Sequence, residues 1–451
     1  MMIPDDDTGR TTKRRAAGAA LDLGHGAVRL VALAALTCWL SLADAEAQPS
    51  PTEPNESTSE REATEERVVP PGLQTGAGLP ATDDSTEELE ADGEVQVVRA
   101  TMAGKGRPGH RKVRDVRVLV PDGGRVDWSQ QGDWIAFDRA EANGFYHLYI
   151  MRPDGSMEKC LTCENWEFRK TNALSPAWHP SGEYLVFQLQ EHVTKLDMTT
   201  LKLTTPHRGL HSELWAITRK GRDAWQLTRI SERGGALVDP HFSHEGGKVV
   251  WSQRVVSQSR WGEWEPHVAD FKIRAGLPRI SKVKNLRPPV QKGFVVAHGF
   301  SPSDKSLLMS GVADPRGGSG SRDILEYDIE TGQLERLTTS PGELDELVVA
   351  LPRSDGIVWV SNRNIKRPSD RMLPRRGDLW YMSGSKLRQE RLTFFNHPES
   401  DHYLGEAMID DLAWSPEGDA LLLHVVSPGS PGTGEVKQAI YIVEFDGVFG
   451  T

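Results

Sequence analysis

The chain has 451 residues, with 53 Lys and Arg against 64 Asp and Glu, and a formal net charge of −11 at pH 7. No basic patch interleaved with aromatic residues is present, which argues against a nucleic-acid-binding protein. Hydrophobic residues make up 37% of the chain, enough for a sizeable core.

Residues 1–47 are predicted to be a secretory signal peptide. Basic residues at 13–15 precede a mostly apolar run over 30–42, and small residues then suit cleavage after Ala45 or Ala47. The run is shorter than a membrane-spanning helix needs. We therefore expect a periplasmic or secreted protein with no integral membrane domain after cleavage. The acidic start of the chain leaves an uncleaved anchor open as the alternative.

Residues 48–95 are predicted to be a disordered acidic linker. They hold 13 acidic and 2 basic residues and no Trp, Tyr or Phe. Such a segment cannot bury enough apolar surface to order itself. Its net charge of −11 equals that of the whole chain, so the remainder is formally neutral.

From residue 113 onward, one hairpin pattern occurs six times. Each copy has an aromatic residue, a tight turn and an apolar run, as in LAWSPEGDALLLHV (412–425). The aromatic position recurs at intervals of 50, 64, 58, 50 and 64 residues, with Ala in the fifth copy, at Trp128, Trp178, Phe242, Phe300, Ala350 and Trp414. A repeat of this length indicates stacked supersecondary units.

Each hairpin is followed by a third strand and, in most units, by a fourth. Third strands are predicted at FYHLYIM, ELWAITR, EPHVADF, RDILEYD, GDLWYMS and QAIYIVE, and fourth strands at sequences such as AWQLTRI, LERLTTS and QERLTFF. Six units of four antiparallel strands predict an all-β fold, a six-bladed β-propeller over 113–449. The sixth unit lacks a fourth strand. We expect VRDVRVLV (113–120) to supply that strand and close the ring.

Two cysteines, Cys160 and Cys163, form a Cys-x-x-Cys sequence at the end of the first unit. There is no second Cys-x-x-Cys to complete a zinc site, and no haem-attachment histidine follows. In an oxidising compartment we expect a local disulfide between them. Redox activity is the alternative.

The repeat resembles the WD40-like, or PD40, repeat of TolB-like propellers, with its turn after the aromatic residue and its terminal Arg-Leu-Thr. The resemblance is carried by SPEGD (415–419), SPSDK (301–305), HPSGE (179–183) and RLT at 336–338 and 391–393. TolB proteins carry an α/β domain before the propeller, and we expect that domain to be missing here. Similar propellers precede prolyl-oligopeptidase-type hydrolases, whose catalytic half we also expect to be absent.

Strand direction predicts that the mouth of the central channel and the long loops share one face. Long loops on a rigid scaffold commonly carry binding residues. Acids and histidines just before the repeated aromatic position would converge on this mouth, near the basic loop of the fifth unit. The candidate ligand-binding residues are Asp239, His241, His298, Glu346, Asp411, Arg367 and Arg376.

Two classes of function fit these residues. The first is an exported, non-catalytic binding or scaffold protein, monomeric and without a cofactor, that engages a protein or an envelope polysaccharide through the loop-rich face. The alternative is a metal-dependent carbohydrate-active enzyme similar to oligogalacturonide lyases, whose propellers hold a metal at the channel. Its divalent metal would be bound by His211, His241 and His298. The sequence has no recognisable catalytic motif, which favours the first class.

Overall fold

Six antiparallel sheets form the blades of a propeller in this computed structural model. It describes residues 96–97, 102–103, 107–191, 207, 209–231, 235–255, 263–290, 295–313, 321–339, 342–365, 376–384, 388–429, 436–447 and 449. The predicted signal peptide and acidic linker lie outside these residues, as do the central parts of the long loops between second and third strands.

In blades 1 to 5 the strands follow chain order from the innermost to the outermost. Blade 1 contains Gly123–Trp128, Ile135–Ala140, Tyr146–Met151 and Lys159–Cys160. Blade 2 contains Thr171–Trp178, Tyr184–Glu191, Ser212–Thr218 and Ala224–Gln226. Blade 3 contains Leu237–Phe242, Lys248–Val255, Glu263–Arg274 and Leu277–Asn285. Blade 4 contains Val296–Phe300, Ser306–Gly311, Asp323–Asp328 and Leu334–Arg336. Blade 5 contains Asp345–Ala350, Gly356–Ser361, Asp378–Ser383 and Arg388–Arg391.

Blade 6 closes the ring with strands from both ends of the repeat region. Its first three strands are Met408–Trp414, Ala420–Pro428 and Val436–Phe445, and its outermost strand is Val113–Pro121. This outermost strand runs antiparallel to its neighbour along nearly its whole length. The predicted all-β, six-bladed fold with N-terminal closure is therefore confirmed.

A segment before the closing strand adds to the outer edge of the ring. Gln96–Val97 pairs in parallel with the outermost strand of blade 5, and Met102–Ala103 pairs antiparallel with Arg107–Pro108. His110 then lies with its Nε2 atom 2.6 Å from a carboxylate oxygen of Glu390. The sequence of residues 96–112 predicts no element, so this edge contact is an addition from the structure.

The repeated turns form as their residues require. Gly418 adopts φ 75° at the end of the Ser-Pro-Glu-Gly turn, and its N–H donates to the carbonyl of Ser415 at 3.0 Å. The apolar runs after the turns are buried between neighbouring blades, and Leu421 and Leu423 of blade 6 are fully buried with Val358 of blade 5 in one core cluster. The blades therefore have no separate cores.

In blades 4 and 5 the fourth strands are shorter than predicted because the chain leaves the sheet after the arginine of Arg-Leu-Thr. In blade 5 the N–H groups of Leu392 and Thr393 both approach the carbonyl of Leu379, at 2.7 and 3.4 Å. The Thr393 hydroxyl accepts a hydrogen bond from Leu379 N–H at 2.9 Å and lies 3.0 Å from the Asp378 carboxylate. The threonine therefore ends the strand by replacing ladder hydrogen bonds.

Helix is scarce among the described residues. A 3₁₀ turn covers Trp166–Phe168, with Asn165 accepting a hydrogen bond from the N–H of Glu167. No helix in this part of the chain is long and apolar enough to span a bilayer.

Candidate ligand site in the axial channel

Every innermost strand is irregular where it faces the axis of the ring. Its pairing with the second strand shifts register once in each of the six blades. Ser175, Asp239 and Leu347 adopt φ of 49°, 52° and 53° at these irregular positions. Because a bulge re-aims side chains, it can direct a polar group into the channel instead of between the sheets.

Arg125 on the innermost strand of blade 1 is the central cation of the channel. Only 5% of the residue is exposed. Its guanidinium forms an ion pair with Asp239 of blade 3 and lies 3.5 Å from Asp410 of blade 6. Burial by itself would lower the pKa of Arg125, but the carboxylates of Asp239 and Asp410 raise it, so the guanidinium stays charged. One side chain thus connects three blades across the ring.

Two further carboxylates complete this group. Asp138 accepts hydrogen bonds from the N–H groups of Arg125 and Ser175, at 3.1 and 2.8 Å, and Asp411 accepts one from Val126 N–H at 2.8 Å. Burial raises the pKa of Asp138 to about 7 and that of Asp411 to about 8. We call Arg125, Asp138, Asp239, Asp410 and Asp411 the axial ion cluster.

Neutral histidines border the axial ion cluster. The pKa of His241 is lowered to about 4, mainly by burial and to a smaller extent by the positive charge of Arg125. Burial and then the neighbouring His241 place the pKa of His298 well below its ordinary value, and Nε2 of His298 lies 2.9 Å from the Ser310 hydroxyl. His241 and His298 are therefore close to each other and uncharged at neutral pH.

A cavity of about 140 Å³ lies on the axis beside these side chains. The innermost strands of five blades line it, through residues that include Arg125, Ser175, Asp239, Val349 and Asp411. Nε of Arg125 and Oγ of Ser175 are buried and form no hydrogen bond within the described part of the chain. Buried polar atoms of this kind are normally satisfied by water or by a ligand, so the cavity is suited to a polar group.

Glu346 and Arg376, two further predicted site residues, form ion pairs of their own. Glu346 is buried at the start of blade 5 in an ion pair with Arg322 of blade 4. Arg376 forms an ion pair with Glu406. Arg367 lies outside the described residues.

The three histidines predicted to bind a metal do not form one group. Among the described residues, the one set of three or more His, Cys, Asp or Glu with ligand atoms within 4.8 Å of one another is His147, Cys160 and Cys163. His211 lies directly before the third strand of blade 2, with φ 59°. The structure thus brings His241 and His298 together without His211.

Arg125 and Asp138 are not among the site residues that the sequence predicts. A signal for Arg125 was available, because it stands three residues before Trp128, as Asp239 does before Phe242 and Asp411 before Trp414. Asp138 gave no comparable signal, because a lone acid in an apolar strand does not reveal which backbone N–H groups it will meet.

Comparisons with known proteins add the following. No protein-family description matches the sequence, and no curated protein matches it. The solved structure of TolB from Acinetobacter baumannii is 16% identical, with 76% of this chain and 66% of that chain covered and a TM-score of 0.41. The structure of a putative TolB from Agrobacterium tumefaciens is 13% identical, with 73% and 94% covered and a TM-score of 0.44. Oligogalacturonate lyase from Vibrio parahaemolyticus is 10% identical, with 76% and 95% covered and a TM-score of 0.42. This chain therefore covers slightly less than two thirds of the Acinetobacter protein. The six-bladed arrangement itself rests on the sheets described above.

Proposed function

We propose that this chain is an exported, non-catalytic β-propeller of the TolB-like, WD40-like repeat type that binds a protein or an envelope polysaccharide at the mouth of the axial channel. The size of the axial cavity carries the proposal. At about 140 Å³ it is smaller than the roughly 300–1,000 Å³ typical of small-molecule sites. It therefore suits a single side chain or sugar substituent presented by a larger partner.

The contacts of the axial ion cluster support a binding role over a catalytic one. Its carboxylates accept hydrogen bonds from the backbone of neighbouring blades or pair with Arg125, so they hold the ring together. General acid–base catalysis needs a group that can exchange a proton with the substrate. Groups with such structural contacts are poorly placed for that exchange.

The metal-dependent enzyme is the second candidate, and the neutral His241 and His298 side by side favour it, since neutral imidazole is a metal ligand. The guanidinium of Arg125 opposes it, because the fixed positive charge beside His241 repels a divalent cation.

Binding is tested with a photo-crosslinking residue placed at Val349, which lines the cavity, and at Thr331 on an exposed turn of blade 4. We expect capture of one defined protein or polysaccharide from Val349 only, and loss of that capture when His241→Ala is added. Equal capture from both positions, or none from either, would contradict the proposal.

The two candidates are separated by thermal melts of the purified chain with a chelator and with Mn²⁺, Ca²⁺ or Zn²⁺. A resident metal that binds only the folded state raises its stability, so chelation would lower the melting temperature. We expect no such shift. A shift of several degrees that disappears in His241→Ala would establish the metal-dependent alternative.

Export is tested by mass spectrometry of the mature N-terminus after cell fractionation. Cleavage after Ala45 or Ala47 and recovery outside the cytoplasm are expected. An intact N-terminus in the membrane fraction would indicate the anchor.

A further inference from the structure

The outer edge of blade 1 departs from the repeat at two positions. In blades 4 and 5 an aspartate at the start of the third strand pairs with the arginine of Arg-Leu-Thr. Asp323 lies 2.9 Å from Arg336, and Asp378 lies 2.6 Å from Arg391. In blade 1, His147 stands in place of the aspartate and Cys160 in place of the arginine. Both lie as many positions before Thr162 as the aspartate and arginine lie before their own threonine.

The threonine itself keeps its role in blade 1. Leu148 N–H donates to the Thr162 hydroxyl at 3.0 Å, as Leu379 N–H does to Thr393 at 2.9 Å in blade 5. The edge of the sheet therefore forms without the acid–arginine pair. Fold alone does not account for a histidine and a cysteine at these two positions.

These replacements bring metal-ligand chemistry together. One ligand atom from each of His147, Cys160 and Cys163 lies within 4.8 Å of the others. His147 is buried, and its Nδ1 atom is 3.0 Å from the Thr162 hydroxyl. This contact orients the ring, and Nε2 is the ring nitrogen that Thr162 does not engage. The two cysteines are only partly buried, so reagents can reach them.

At present the sulfur atoms are bonded to each other. Cys160 and Cys163 form a disulfide with an S–S distance of 1.98 Å, and the Tyr149 hydroxyl lies 3.4 Å from the Cys163 sulfur. The loop closed by this bond is very short, and a short loop gives a disulfide the smallest entropic effect on stability. Reduction of the Cys160–Cys163 disulfide should therefore leave the ring folded.

We propose that reduction of the Cys160–Cys163 disulfide turns this corner of blade 1 into a binding site for a thiophilic cation such as Zn²⁺, with His147 as the third ligand. A thiol or phosphine reductant supplies two electrons to the S–S bond, and the sulfurs take up two protons from water. The cation then displaces those protons and binds two thiolates and a neutral imidazole. Three such ligands leave one tetrahedral position for water.

The test uses the full chain with Cys38→Ser, which removes the remaining cysteine. The protein is reduced with a phosphine, freed of reductant without air, and titrated with Co²⁺ as a spectroscopic substitute for Zn²⁺. We expect thiolate-to-Co²⁺ charge-transfer absorption that saturates at one ion per chain, is displaced by Zn²⁺, and is absent from the oxidised protein.

Variants identify the ligands. Cys163→Ser should abolish the charge-transfer band, His147→Asn should weaken binding at least tenfold, and Thr162→Val should weaken it through the orientation of the ring. The matched control, His179→Asn in blade 2, should bind as the parent does. Absence of the band in the reduced parent, or its persistence in Cys163→Ser, would overturn the proposal. If Cys163→Ser does not fold, alkylation of the reduced parent decides, since Zn²⁺ must protect both thiols.

Discussion

Arg125 connects three blades with one side chain, through carboxylates of blades 3 and 6. A buried guanidinium with carboxylates from blades 3 and 6 is stable only as a set, because the desolvation cost of each charge is offset by its partner. The flat, forked guanidinium can reach two acceptors at once, which an ammonium group does less well.

Arg125→Ala is expected to destabilise the protein by about 3–5 kcal/mol, because it leaves buried carboxylates unpaired. Arg125→Lys should fall between this variant and the parent. The measurement is urea unfolding followed by Trp fluorescence. The control is Arg114→Ala, whose side chain is 56% exposed and pairs with Glu444, and which should cost less than about 1 kcal/mol. Equal effects of the two alanine variants would show that the axial ion cluster does not hold the ring.

The folding stability of the protein depends on pH through Asp127, and the direction of this dependence can be predicted. Burial raises its pKa from 3.8 to about 7 in the folded state, although it accepts hydrogen bonds from the N–H groups of Trp178 and Trp128. Between these two pKa values the folded state holds more protons than the unfolded state. The stability that Asp127 contributes is therefore complete below about pH 4 and is lost as the pH rises toward 7.

The asparagine of Asp127→Asn cannot ionise, so this variant does not lose the stability that the parent loses as the pH rises. The stability of Asp127→Asn minus that of the parent should therefore be larger at pH 8 than at pH 5. Urea midpoints at the two pH values measure this difference. Asp154→Asn is the control, because the pKa of Asp154 is lowered by its hydrogen bonds to Ser156 and it stays ionised across this range. A difference between Asp127→Asn and the parent that is the same at both pH values would contradict the assignment.

At the level of the element, the end of the sheet in several blades depends on a threonine. Thr228, Thr338 and Thr393 accept hydrogen bonds from third-strand N–H groups at 2.8 to 2.9 Å in blades 2, 4 and 5. The hydroxyl is buried, so no water can replace it if it is removed.

Thr393→Val keeps the shape of the side chain and removes the hydroxyl, so Leu379 N–H and the Asp378 carboxylate each lose a partner. A loss of about 1–3 kcal/mol is expected in urea unfolding. Thr331→Val on an exposed turn is the matched control and should change little. If the two substitutions have the same effect, the threonine is not what ends the strand.

The sequence predicts elements better than it predicts contacts across the axis. The third strand GDLWYMS was placed to within one residue of the observed Asp378–Ser383, because turn residues and alternating apolar residues are local signals. Gln96–Val97 could not be predicted, since two residues carry no period and their pairing with blade 5 is set by the folded ring. Arg125 and its partners come from three blades, so only the closed ring brings them together.

The whole ring depends on the pairing of Val113–Pro121 with Val436–Phe445. Without that pairing, the third strand of blade 6 would be an exposed edge, and Val120, which is 2% exposed, would leave the core between blades 6 and 1.

Deletion of residues 113–121 should therefore lower the melting temperature strongly and broaden the unfolding transition, as followed by calorimetry. Deletion of residues 48–92, in the predicted linker, is the control and should leave the melting temperature nearly unchanged. A ring that melts like the parent after loss of 113–121 would show that closure does not need this strand.

The closing strand also sets when folding can be completed. Arg117 on that strand and Glu444 on its partner are 327 positions apart in the sequence and 3.4 Å apart in the structure. During synthesis the strand at 113–121 appears early and must wait for 436–445, the last strand of the ring to be made. Until then the blades form an open arc with two unpaired edges, which is prone to aggregation. The pairing that gives the ring its stability thus makes slow assembly unavoidable, since contacts so distant in sequence form late. A chain that must wait for its last strand can therefore close its ring only when synthesis of the repeat region is complete.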